Sequence, residues 1–153
     1  EMLRLAEIGM DFFDLYATDM PAWMLRMDDC PLSVMVAFSA TCRPWGLVEH
    51  VAVRSRPEMI EVSIMPHEAY GTALTAADIS EYAEIAARAS QPVVVPTQKA
   101  VRPEEVAALR DSGVAALLIG AVVTGTETES MAEATAQFRA AIEATRPQRR
   151  RRH

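Results

Sequence analysis

Polar side chains that can carry chemistry follow each apolar run of this sequence. Imidazole, amine and carboxylate groups transfer protons, attack carbonyl carbons or bind anions. Ligands of parallel α/β folds bind just past the carboxyl ends of the strands, so these positions form the candidate site. The side chains are Thr18 and Asp19 after the first run, Ser39, Thr41, Cys42 and Arg43 after the second, His67, Glu68 and Tyr70 after the third, Gln98 and Lys99 after the fourth, and Thr124 and Thr126 after the fifth.

Lys99 is the only lysine in a chain whose other basic residues, apart from histidine, are all arginines. A lysine can lose its proton when it is desolvated and attack a carbonyl carbon, or it can bind phosphate as a compact charge. The sequence leaves three interpretations open. Lys99 is a Schiff-base nucleophile, an anchor for phosphate, or an ordinary surface charge.

Proton transfer has two candidate residues in this pattern. His67 is the best placed general acid or base, and the alternative is an exposed loop histidine. Asp19 is the second candidate, and the alternative is a helix cap. Arg43 could clamp a carboxylate or phosphate, and Ser39 is a candidate ligand of the same group. Cys42 lacks a visible base that would make it a nucleophile.

These residues are positioned by alternating apolar runs and helical stretches. Short apolar runs bounded by turns indicate strands that are buried on both faces. The predicted strands are Asp11–Ala17, Leu32–Ser39, Met59–Met65, Pro92–Thr97 and Ala115–Val123. The predicted helices are Met20–Asp28, Trp45–Ser55, Ala76–Ala89, Pro103–Ser112 and Glu127–Thr145. Thr75 suits the N-cap of the third helix and Gly113 the C′ position of the fourth.

Strict alternation of this kind predicts an α/β fold with parallel strands and right-handed crossovers. Two architectures accommodate five such units. One is a five-stranded open doubly wound sheet. The other is the last five units of a (βα)8 barrel, which takes about 250 residues when complete.

The end of the sequence favours the barrel. The segments Pro92–Gln98, Arg102–Ser112 and Gly113–Gly125 resemble the closing two units of a phosphate-binding (βα)8 TIM barrel. The resemblance implies that backbone amides of Gly120, Ala121 and Gly125 hold a phosphate, with side-chain donors from Gln98 and Lys99. Many such barrels carry glycines after the penultimate strand, where this chain has Thr97, Gln98 and Lys99.

The activity implied by the resemblance is that of a lyase or isomerase acting on a small phosphorylated carbonyl compound. Two rival functions stay open: a non-catalytic domain that binds or senses an anionic metabolite, and a Schiff-base aldolase that uses Lys99. The sequence predicts no organic cofactor and no metal. Magnesium stays open without support, because no pair of acidic residues flanks an identifiable site.

Composition and charge limit the partners. The net charge of −6 becomes −10 without Arg149–Arg152, so the folded body should repel nucleic acid. No apolar run has the roughly 18–20 residues of a membrane helix. Cys30 and Cys42 fit no zinc template, and two unpaired cysteines suit the cytoplasm. We expect one α/β domain over residues 1–147 and a disordered basic tail over 148–153. If the chain holds five barrel units, its open sheet edges predict a homodimer or completion by another chain.

Overall fold

The computed structural model describes residues 1–27, 29–40 and 58–145. These residues form five helices, five strands and three short 3-10 turns. The helices are α1 (Met2–Glu7), α2 (Ala76–Arg88), α3 (Val106–Asp111), α4 (Ala121–Thr124) and α5 (Thr128–Thr145). The strands are β1 (Phe12–Tyr16), β2 (Ser33–Phe38), β3 (Met59–Val62), β4 (Val93–Pro96) and β5 (Ala116–Leu118). The 3-10 turns span Ala22–Arg26, His67–Ala69 and Pro103–Glu105.

The five strands form one parallel sheet in which they lie in chain order. A doubly wound sheet reverses its strand order at a switch point and carries helices on both faces. This sheet has no reversal, so the open doubly wound alternative is wrong. A parallel sheet in chain order is the arrangement of consecutive units in a βα barrel.

The main hydrophobic core lies on one face of the sheet, which we call the helix face. On β2 and β3 its residues include Val36, Phe38 and Ile60, all almost completely buried. Tyr82 of α2 and Phe138 of α5 belong to the same cluster. The helices therefore cover this face and leave the opposite face, which we call the inner face, to a different set of side chains.

Two predicted elements differ from the structure. The strand expected over Ala115–Val123 ends at Leu118, because the chain turns after Gly120 into the four-residue helix α4. The helix expected over Met20–Asp28 is only a 3-10 turn over Ala22–Arg26, and its N-cap Pro21 makes no side-chain capping hydrogen bond. The predicted helix Trp45–Ser55 lies outside the described residues, and so does the predicted tail.

The caps of two helices follow the sequence pattern. Thr75 caps α2 by accepting a hydrogen bond from the Asp78 N–H, and the Asp78 carboxylate accepts one from the Thr75 N–H. Gly113 follows α3 at a φ of +94°, and a Cβ there would lie 2.9 Å from Cβ of Ala86. A side chain at Gly113 would therefore bring both backbone strain and a clash.

Large apolar side chains are exposed only at the two ends of the sheet in the part of the chain that the structure describes. Strands β1 and β5 each have a single paired neighbour. Helix α1 buries none of its residues. The exposed residues are Leu3, Ile8, Met10, Phe12, Tyr16 and Trp23 near β1, and Leu118, Val122 and Met131 near β5. Unpaired strand edges with apolar side chains are surfaces that associate. None of the described helices combines the length and apolar character that crossing a membrane requires.

We predict that the isolated chain self-associates through these edges. A Phe12→Lys, Leu118→Lys double variant places a charge at each edge and should shift the sedimentation coefficient toward the monomer. The double variant Ala87→Lys, Ala107→Lys adds the same charge on exposed helix positions and should sediment like the wild type. A wild-type chain that stays monomeric across the concentration range would contradict the prediction.

Candidate functional site

The buried polar side chains of the described chain gather at the ends of β3, β4 and β5. They are Glu61, Ser63, Thr97, Gln98 and Thr124. The buried residues of β2 are, by contrast, all apolar. Buried polar groups need hydrogen-bond partners, so a concentration of them marks a built site rather than ordinary core. Active sites of βα barrels lie at this end of the strands.

A pair of carboxyl groups occupies the inner face. Glu61 of β3 is only 6% exposed, and its carboxyl group hydrogen bonds with that of Asp14 on β1. The strand register places Tyr16, Ala37 and Glu61 side by side, so the intervening β2 position holds only a methyl group. The small side chain of Ala37 leaves the space across β2 in which Glu61 and Asp14 meet.

Burial changes the protonation of this pair. Desolvation is the largest cause that raises the pKa of Glu61, and the hydrogen bond and charge of Asp14 raise it further, to about 8. Desolvation also raises the pKa of Asp14, against the lowering effect of its hydrogen bonds with Glu61 and Leu15. Two neighbouring carboxylates cannot both ionise cheaply, so the pair retains a proton at neutral pH. Oδ1 of Asp14 is buried without a partner among the described residues.

Tyr16 lies beside this pair, at the edge of the inner face. Desolvation raises the pKa of its phenol, and the nearby Glu61, Tyr70, Asp14 and Asp19 raise it further. The phenol therefore stays protonated and can donate a hydrogen bond. The pair and the phenol together provide proton donors and an acceptor within one region.

Ser63 and Gln98 join the ends of β3 and β4. The Ser63 hydroxyl donates to Oε1 of Gln98 at 2.5 Å, and its oxygen also lies 3.1 Å from the Met65 carbonyl. Ser63 follows Glu61 by two residues and so continues the inner face of β3. Gln98 was predicted as a phosphate ligand, and in the structure its side-chain oxygen Oε1 accepts the hydrogen bond from Ser63.

Lys99 is engaged by helix α2. Its ammonium lies 3.2 Å from Oδ2 of Asp78 and donates to the Ala73 carbonyl at 3.4 Å. The ammonium therefore lies against the start of α2 and the loop that precedes it. In this structure Lys99 joins the loop after β4 to the cap of α2.

The predicted phosphate residues surround helix α4. The Gly120 N–H donates to Oγ1 of Thr97 at 2.8 Å, and this hydroxyl lies 3.3 Å from the Leu118 carbonyl. The Gly125 N–H donates to the Ala121 carbonyl at 2.9 Å, at a φ of +66°. Two of the three expected backbone donors are thus used internally, and the Ala121 N–H at the first position of α4 has no intrahelical acceptor.

The other predicted site residues that the structure describes are His67, Asp19 and Ser39. His67 is exposed, and its ring centroid lies 4.7 Å from that of Tyr70. Asp19 is exposed and accepts a hydrogen bond from Thr18 rather than capping the following turn. Ser39 directly follows β2 and makes a polar contact. Arg43 lies outside the described residues. No cluster of three or more potential metal ligands occurs among the residues that the structure places.

Sequence reasoning missed the acid pair, Tyr16 and Ser63. All of them belong to strands or strand ends, whereas the residues predicted for the site follow the strands. The available signal was a carboxylate inside an apolar run, at Asp14 in the first and Glu61 in the third. An acidic residue in a buried strand needs a reason, because burying its charge is costly.

Comparisons with solved structures decide the fold. A thiamine phosphate pyrophosphorylase from Pyrococcus furiosus superposes with a TM-score of 0.64 at 17% identity, over 96% of this chain and 66% of that one. A native KDPGal structure gives 0.61 at 17% identity, over 94% and 64%. A cube-shaped protein cage designed by fusing symmetric oligomeric domains gives 0.60 at 18% identity, over 94% and 48%.

The fold is TIM-barrel-like. The chain spans between about half and two thirds of the length of these three structures. No protein-family model matches the sequence, and no curated protein matches it.

We predict that the Asp78 cap contributes stability only where its carboxyl is ionised. Burial alone would raise the pKa of Asp78, but hydrogen bonds from Thr75 and the Lys99 ammonium outweigh it and lower the pKa below 3.8. The contribution is therefore present above pH 3.8 and is lost as the pH falls through the lower, folded-state value. Urea unfolding should show Asp78→Asn less stable than wild type at pH 7 by about 1 kcal/mol, and the difference should shrink in acid. A difference that does not change with pH would contradict this.

Proposed function

We propose that this chain is part of a TIM-barrel lyase or isomerase that transfers protons on a small carbonyl compound, with phosphate as the second recognition element. The hydrogen-bonded Asp14–Glu61 pair carries the proposal. The pair holds both an acid and a base on the face that becomes the interior of a closed barrel, near the carboxyl ends of the strands where such enzymes bind substrate.

Proton transfer at neutral pH needs groups whose pKa lies near 7. The raised pKa of Glu61, about 8, meets this requirement. One carboxylate of the pair can remove a proton from the carbon next to a carbonyl group, while the protonated carboxyl can return one. The electron pair released from the C–H bond then forms a C=C bond, and the carbonyl oxygen takes up the negative charge. No redox partner is needed for this step.

The geometry favours acid–base chemistry over a Schiff-base aldolase. A Schiff base requires an uncharged amine that is free to attack a carbonyl carbon. The Lys99 ammonium lies against Asp78 and the Ala73 carbonyl. His67 and Asp19 are proposed as rim residues that contact the entering substrate.

A phosphate group would be bound at the start of α4. Many TIM barrels bind phosphate with the loops after their last two strands and a short extra helix. Helix α4 is such a short helix, directly after β5. Ala121 then supplies the backbone donor, and Thr97 fixes the preceding Gly120. Of the predicted side-chain donors, Ser39 and Arg43 remain candidates.

Closure of the barrel completes the proposal. The described residues form five parallel strands, whereas a complete βα barrel has eight. Helix α1 precedes β1, has no fully buried residue and packs Met2 partly against the core, in the chain position that the helix of a preceding unit would take. We propose that three further βα units cover the two edges, supplied by another part of a longer polypeptide or by another chain, and that self-association replaces them when they are absent.

We predict that the chain catalyses exchange of carbon-bound hydrogen in D2O. Proton NMR would follow loss of the C–H signals of dihydroxyacetone phosphate and a panel of related ketoses and aldoses. Glu61→Gln keeps the shape but cannot exchange a proton, so it should slow exchange by about 10²–10⁴-fold.

Glu84→Gln is the matched control, since Glu84 is an exposed acid of α2 that pairs with Arg88, away from the strand ends. It should exchange at the wild-type rate. Saturable binding by the wild type without exchange of any carbonyl compound would point instead to a metabolite-sensing domain. Equal rates in wild type and Glu61→Gln would remove the acid pair from the mechanism.

A further inference from the structure

Gln98 is a buried polar residue that is held by hydrogen bonds of both its backbone and its side chain. The residue is 9% exposed. Its backbone carbonyl accepts from the Gly71 N–H at 2.8 Å, and its own N–H donates to the Pro96 carbonyl at 2.8 Å. With Oε1 held by the Ser63 hydroxyl, the backbone and one end of the amide are both fixed.

The other end of this amide is uncommitted. No residue that the structure describes accepts a hydrogen bond from Nε2 of Gln98. Within the described chain, Asp14 Oδ1 is the one side-chain nitrogen or oxygen that is both fully buried and without a partner. Nε2 therefore still reaches open space, and its two N–H groups are available to a ligand.

The position of this donor relates it to the acid pair. Ser63 lies two residues beyond Glu61 on the same face of β3, so the Ser63–Gln98 bond sits one step nearer the strand ends than Glu61. A small molecule at the strand ends would thus meet a neutral N–H donor and, below it, two carboxyl groups. The charge of an amide does not change with pH, and a preorganised donor stabilises negative charge that develops on oxygen.

We propose that Nε2 of Gln98 binds the carbonyl oxygen of the substrate, and that the site therefore selects small ketones and aldehydes with an acidic C–H beside the carbonyl. This inference rests on the proposed function and names the substrate class of the same site. Ser63 acts as a positioning residue, because it orients the amide without contacting the substrate. As the carboxylate of the pair takes the proton, the carbonyl oxygen becomes an enolate oxygen and its bond to Gln98 strengthens.

The test uses two probes that differ in a single oxygen. Dihydroxyacetone phosphate carries the carbonyl group, and 3-hydroxypropyl phosphate has hydrogen atoms in its place. Isothermal titration calorimetry should show the wild-type chain binding the ketone about ten-fold or more tightly than the analogue, because the analogue leaves a donor unpaired.

Gln98→Glu keeps an acceptor for Ser63 but replaces the donor with an anion, and Gln98→Met removes all polar atoms. Both variants should lose the ten-fold preference while retaining affinity for the analogue. Gln137→Met, on the exposed face of α5, is the control and should keep the preference. Ser63→Ala should reduce the preference in part, since the amide is then free to rotate.

The outcomes separate the two proposals. If the preference is unchanged in Gln98→Glu and Gln98→Met, the carbonyl anchor is wrong, whereas exchange that depends on Glu61 would leave the acid–base function standing. A wild type that binds both probes equally, or neither, overturns the anchor as well. The carbonyl anchor is supported if the Gln98 variants lose the preference for the ketone while Gln137→Met keeps it. Circular dichroism must show that the Gln98 variants are folded.

Discussion

Two carboxyl groups buried against each other are the constraint on which the site depends. Placing Asp14 and Glu61 on the inner face costs desolvation free energy, and no cation of the described chain forms an ion pair with either of them. A buried pair of this kind is tolerated when it shares a proton and when neighbours supply hydrogen bonds. Ala37 lies on the strand between them, the protonated Tyr16 lies beside them, and the Ser63–Gln98 bond lies one step nearer the strand ends.

The architecture makes the pair accessible to chemistry. Because the strands lie in chain order, the helices that the structure describes pack on one face, and none of them covers the inner face. In a closed barrel such a face becomes the interior, where polar side chains near the strand ends contact the substrate. The same architecture explains the exposed apolar residues at β1 and β5. A sheet that does not close has two free edges, and here these are β1 and β5.

The sequence predicted the elements well where local signals are strong. The Thr75 and Asp78 cap marks the start of α2, and Gly113 marks the end of α3, because both depend only on neighbouring residues. The run Ala115–Val123 was predicted as one strand because all its residues except Gly120 are apolar side chains that a buried strand accommodates. Its division at Gly120 depends on a hydrogen bond to Thr97, 23 residues earlier, which local reasoning cannot see.

The site was less predictable for the same reason. Polar residues after each strand were expected to converge, and the structure does place Gln98 at the inner face. The roles of Glu61 and Asp14 depend on the register of three strands, which brings together residues 47 positions apart. Likewise, the rarity of lysine drew attention to Lys99, but composition carries no information about the Asp78 carboxylate that engages it.

The titration of Glu61 is the most direct test of the Asp14–Glu61 acid pair. Carbon NMR of the chain labelled at glutamate side-chain carboxyls, compared with Glu61→Gln, assigns the Glu61 signal. We expect this signal to titrate near pH 8. In Asp14→Asn the midpoint should fall but stay above 4.5, because Glu61 remains buried after the neighbouring charge is gone. A Glu61 signal that titrates near 4.5 in the folded wild type would mean that the carboxyl groups are solvated and separate, and would contradict the acid pair and the function built on it.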